Sequence, residues 1–76
     1  MKTYFEYRRK SLYITVSGNA TKENVRKFRK KLYYVISEYN INNIVVNLKM
    51  IDNKESIYDL LDEYDIRYGG DLVVID

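Results

Sequence analysis

The sequence predicts a two-layer α/β fold: a mixed four-stranded sheet, elements in the order β-β-α-β-α-β, and two helices on one face. Three observations lead there. Short stretches alternate apolar and polar residues, two longer ones repeat apolar residues every three or four positions, and Gly18-Asn19 and Gly69-Gly70 punctuate the chain between them.

Residues 3 to 8 read as an edge strand, with Phe5 and Tyr7 on one side and Glu6 and Arg8 on the other. Arg9-Lys10-Ser11 is the turn that follows, although no Asn-Gly or Asp-Gly marks it. In the next strand, Leu12 to Ser17, Leu12, Ile14 and Val16 share the core face, and Tyr13, Thr15 and Ser17 the opposite one. A helix is expected from Thr21, as N-cap, to about Tyr39, with Val25, Phe28, Leu32, Val35, Ile36 and Tyr39 as its apolar stripe. Asn40 tolerates the left-handed conformation that stops a helix. Ile44 to Leu48 is the third strand. A second helix is expected after Asp52, paired with Glu55 in a capping-box-like arrangement, with Ile57, Leu60, Leu61 and Tyr64 as its stripe. Leu72 to Ile75 is the last strand.

Helices in the connections make the last three strands parallel by right-handed crossovers, and two crossovers moving the same way place both helices on one sheet face. The other face is left without helical cover. Tyr13, Thr15 and Val45 belong there, with either Leu72 and Val74 or Val73 and Ile75. Tyr7, Tyr39 and Tyr64 are assigned to the core, while Tyr13, Tyr58 and Tyr68 stay open.

A chain of 76 residues has room for one domain, residues 1–76, which buries only about 60% of its unfolded surface. A homodimer through the uncovered face would add the buried area that this length lacks. No apolar run approaches the ~20 residues that cross a bilayer, and no apolar segment follows Lys2 as in a signal peptide. A cytoplasmic location without membrane association is expected. Cysteine and histidine are both absent. That removes disulfides, thiolate nucleophiles, imidazole bases and the favoured zinc ligands, so neither catalytic residues nor metal nor cofactor is expected. The bias toward Lys, Asn, Ile and Tyr, with no Pro or Trp, points to an AT-rich coding genome such as that of a low-GC bacterium.

Charge is distributed unevenly. Residues 1–48 carry ten Lys/Arg against three Asp/Glu, and the remainder three against eight, so a half of +7 and a half of −5 make up the net +2. Lys22, Arg26, Lys27, Arg29, Lys30 and Lys31 fall within ten residues. They read as the solvated side of an amphipathic helix or as a phosphate-backbone contact. The acidic second helix, with Asp52, Glu55 and Asp59 at its start, reads as a solubilising surface or as a partner-binding edge.

Taken in order, Leu12-Tyr13-Ile14-Thr15-Val16-Ser17-Gly18-Asn19 entering a helix, Asn43-Ile44-Val45-Val46-Asn47-Leu48, and Gly69-Gly70-Asp71-Leu72-Val73-Val74 resemble the STAS family of bacterial anti-sigma factor antagonists. The resemblance runs from Ser11 to Ile75. It implies a non-enzymatic regulatory module whose partner is a protein, such as an anti-sigma kinase. Antagonists of the family carry an Asp-Ser-Ser-Gly-like motif at the start of the second helix, where serine is phosphorylated. The corresponding stretch here reads Asp52-Asn53-Lys54-Glu55-Ser56, the loop after Leu48 is several residues shorter, and the family continues beyond the position of Asp76 with a further helix. The resemblance therefore implies partner binding without the serine switch, through the Gly18-Asn19 turn, the Met50 to Ser56 loop and the exposed side of the second helix. Gly18, Asn19, Asp52, Asn53, Glu55, Ser56 and Asp59 are the residues assigned to it. A nucleic-acid accessory role for the basic helix is the alternative.

Overall fold

A computed structural model describes residues 1–76. The order is β1 (Lys2–Arg8), β2 (Ser11–Asn19), α1 (Lys22–Tyr39), β3 (Asn43–Asp52), α2 (Lys54–Tyr68) and β4 (Asp71–Ile75). The strands lie in the order β1-β2-β3-β4, with β1 antiparallel to β2 and the other pairings parallel. This is the predicted mixed sheet.

The β1–β2 hairpin closes on a two-residue loop, Arg9-Lys10, with φ of 51° and 65°. Both residues are left-handed, which matches the twist of the flanking strands. Two long basic side chains thus stand where Asn-Gly is usual, and that is why the sequence gives no clear turn signal.

Thr21 caps α1 by accepting the Asn24 N–H at 3.2 Å. At the other end Asn40 is left-handed (φ 52°), and the Ile41 N–H closes back on the Ile36 carbonyl at 3.1 Å. Ile41 then turns into the core, the apolar contact that accompanies this kind of helix stop.

The core lies between the sheet and the two helices. Leu12, Ile14 and Val16 of β2 and Ile44, Val46 and Leu48 of β3 meet Phe28, Leu32 and Ile36 of α1 and Ile57, Leu60, Leu61 and Tyr64 of α2. The predicted α2 stripe is buried throughout. Of the two registers open for β4, Leu72 and Val74 pack toward the helices, so Val73 and Ile75 join Tyr13, Thr15 and Val45 on the uncovered face.

Three expectations are corrected. Tyr7 and Tyr39 are 56% and 67% exposed: Tyr7 sits on the outer strand and Tyr39 on the last turn of α1, where no element covers them. They flank an apolar groove of about 400 Å³, lined also by Phe5, Leu12, Val35 and Ile41.

The Met50 to Ser56 loop does not exist, because β3 runs on to Asp52, Asn53 alone connects it to α2, and Ser56 is helical. The strand continues through a bulge: Thr15 faces Asn47 but Ser17 faces Met50, so β3 holds one extra residue. Asn47 Oδ1 accepts the Lys49 N–H at 3.0 Å at that point. Lys49 and Met50 are both exposed as a result, and Ile51 returns to the core.

Nor do Asp52 and Glu55 form a capping box. The N-cap of α2 is Asn53, left-handed at φ 61°, with no side-chain cap. Asp52 is still paired in the sheet with Asn19, and a residue held in the ladder cannot also begin the helix.

Candidate functional site

Gly18, Asn19, Asp52 and Asn53 come together at the carboxyl ends of β2 and β3, where both helices begin. Gly18 pairs with Ile51 and Asn19 with Asp52 across the parallel strands. The Ala20 N–H donates to the Asp52 carbonyl at 3.2 Å, and Asn53 Nδ2 donates to Asn19 Oδ1 at 2.7 Å. Asn24 of α1 donates its own Nδ2 to the Asn19 carbonyl at 3.0 Å. Asn19 is thus the hub, tying the end of one strand to both helix starts. Gly18 has φ of 99°, and a Cβ there would stand 3.2 Å from the Met1 Cα, so a larger residue would be strained and would press on the first residue of the chain.

The remaining assigned residues lie farther along α2. Glu55 and Asp59 are exposed, and Ser56 is half-buried. Ser56 and Asp59 line a shallow groove of about 370 Å³ between the helices with Val25, Arg29, Leu60 and Glu63. The assigned set therefore spans the strand ends and the upper part of the interhelical groove.

At the lower end of that groove is an ionic cluster. Arg29 donates to Glu63 from Nε at 3.0 Å and from a terminal nitrogen at 2.8 Å, and the Tyr33 hydroxyl donates to Glu63 at 2.8 Å. Tyr33 also packs against Tyr68 with the rings tilted by 35° and receives the Arg67 guanidinium on its ring. Hydrogen bonds from Arg29 and Tyr33 pull the Glu63 carboxyl down from 4.5 to about 2. Burial, then donation to Glu63, pushes the Tyr33 hydroxyl up to about 12.

Because the folded value lies below the unfolded one, the Glu63 contribution is complete above pH 4.5 and is lost as pH falls toward about 2. In thermal melts, the stability advantage of the native chain over Glu63→Gln should shrink through that window. An advantage constant from pH 5 to pH 2 would contradict the assignment.

The six basic residues of α1 spread over more than one flank of the helix. Arg29 faces α2 and is bound to Glu63, while Lys31 lies on the opposite flank with Nζ 4.7 Å from the centre of the Phe5 ring. Lys27 approaches Glu23 at 3.8 Å. Lys22, Arg26 and Lys30 are exposed. No group of three or more acidic side chains converges as a metal site would require, and no helix is long and apolar enough to cross a membrane.

No family model matches the sequence, and no curated protein matches it. Solved structures do share the architecture. The chain superposes over 93% of its length on 68% of the Bacillus cell fate determinant SpoIIAA in its phosphorylated form, with a TM-score of 0.65 and 17% identity. SpoIIAA carries the STAS fold. The fold is STAS-like. A second match, to the crystal structure of Mglu, covers 96% of this chain and 19% of that one, with a TM-score of 0.75 and 17% identity. This chain thus spans less than a fifth of Mglu. At such identity both likenesses are likenesses of fold.

The Asn19–Asn53 contact and the Arg29–Glu63–Tyr33 cluster join residues 30 to 34 positions apart. No local spacing signals either; the only hint is that each partner lies on a surface its own element leaves polar.

Proposed function

We propose that this chain is a non-enzymatic protein-interaction module of a bacterial regulatory system, akin to anti-sigma antagonists and acting in the cytoplasm. It would dock a protein partner, an anti-sigma kinase or another regulator, on the surface formed by Gly18, Asn19, Asp52, Asn53 and the first turns of α2. The observation that carries this reading is the meeting of Gly18-Asn19, which the structure makes the end of β2 rather than a turn, with Asp52-Asn53 at one end of a SpoIIAA-like fold. Asn53 directly follows Asp52, where the resemblance would place a phosphorylatable serine, so recognition would rest on a fixed surface rather than a serine switch. Exposed amides and carboxylates at the rim suit a polar partner surface that is read by hydrogen bonds. Joint replacement of Asp52, Asn53 and Ser56 by alanine should weaken partner binding by at least about 2 kcal/mol in a calorimetric titration. An unchanged affinity in a variant that melts like the native chain would place the interface elsewhere.

A further inference from the structure

β1 and β4 are the outer strands of the sheet, and no backbone hydrogen bond within the chain reaches their outer edges. In the ladder set by the Arg9-Lys10 loop, Arg8, Glu6 and Tyr4 bond to β2, so Thr3, Phe5 and Tyr7 turn their N–H and C=O groups outward. The edges are opposite in charge. Lys2, Arg8, Arg9 and Lys31 stand along the β1 side, where Glu6 pairs with Arg8 at 3.0 Å and leaves a net positive charge. Asp71 and Asp76 flank β4. Tyr58 donates to Asp76, which shows the flank of α2 that overlooks this edge, and Asp62 and Asp65 follow Tyr58 on it at helical spacing.

We propose that the β1 edge docks the β4 edge of a second copy, joining two sheets into one. β1 runs against β2 while β4 runs with it, so edges that meet with helices on the same side pair antiparallel. Asp71 of one copy then falls beside Arg8 of the other, both on the uncovered face, and Asp76 falls near Lys2. Leu72 and Val74, on the helix side of β4, come alongside Phe5 and Tyr7 over the apolar groove that Tyr39 and Val35 border. Strands about 4.8 Å apart and helices about 10 Å apart keep one helix for every two strands across the junction. Pairing β1 with β1 would set like charges opposite each other, which disfavours a two-fold dimer at that edge. The contact is head-to-tail, so it leaves a free edge at each end and extends with concentration. It uses a different surface from the partner-binding edge and does not depend on it.

Sedimentation velocity over a dilution series tests this. The native chain should associate, and more weakly as salt rises from about 50 to about 500 mM. Asp71→Lys with Asp76→Lys reverses the β4 charges, and Lys2→Glu with Arg8→Glu reverses the β1 charges that they approach. Each double variant alone should associate at least about tenfold more weakly, and an equimolar mixture should recover the native strength. In the labelled native chain, dilution should shift the amides of Thr3, Phe5, Tyr7 and β4 selectively. A native chain that is monomeric up to about 1 mM, a mixture no stronger than its components, or shifts confined to other surfaces would overturn the proposal.

Discussion

Gly70→Ala should destabilise the chain by about 3 kcal/mol. A Cβ at this position would stand 1.9 Å from the Asn42 carbonyl oxygen and 2.9 Å from its carbon. These are backbone atoms, so no rotamer change relieves the overlap. The Asn42 backbone is itself fixed, because it joins the stop of α1 to the first residue of β3, and Asn43 is in register with Asp71. The clash must therefore push β4 away from β3 or displace the α1–β3 connection. A chain of this length has roughly 4–11 kcal/mol of stability in total, so the loss is a large share of it. The melting temperature should fall by roughly 10–25 °C. A shift of less than about 3 °C would mean that the close approach is not held in solution.

Tyr64→Ala should cost about 3–5 kcal/mol. Tyr64 has no exposed surface; its ring stacks on Tyr68 at 5.5 Å between centres, and its hydroxyl donates to the Asn42 carbonyl at 3.1 Å. Removal opens a cavity under the last turns of α2 and frees the Asn42 carbonyl. Tyr64→Phe keeps the ring and should cost only about 1 kcal/mol, the net value of one hydrogen bond. Denaturant unfolding of the two variants separates packing from hydrogen bonding. Equal losses would show that the hydroxyl, not the ring, anchors α2. Gly70 and Tyr64 act on the same carbonyl, so their substitutions should be non-additive.

Both of these residues drew only a generic role from the sequence. Gly70 read as a turn glycine, whereas its actual constraint is a close approach to a residue 28 positions earlier. Tyr64 read as core from its place in the α2 stripe, and that holds because helical periodicity reports directly on which face is covered. Periodicity failed for Tyr7 and Tyr39 for the converse reason: they continue an apolar pattern past the point where the opposite layer ends. Strand alternation likewise marked β3 only as far as Leu48, since the bulge at Asn47–Met50 breaks the period of two while the pairing goes on to Asp52. The candidate site was legible in its parts, although Gly18-Asn19 read as a turn and is the end of β2, and Asp52-Asn53 read as a helix entry. Their meeting follows from the parallel pairing of β2 with β3. The hydrogen bond between Asn19 and Asn53, and the capture of Arg29 by Glu63, depend on side-chain reach across elements and leave no local trace.

Protein binding at the strand-end surface is read out by immobilising the native chain and the Asp52, Asn53 and Ser56 triple-alanine variant in parallel, and passing a nuclease-treated lysate of the host over both. Saturable recovery of one protein by the native chain, lost on the variant, is the result expected of such a surface. Equal recovery on both, or retention that appears only when nucleic acid is left intact, would contradict it.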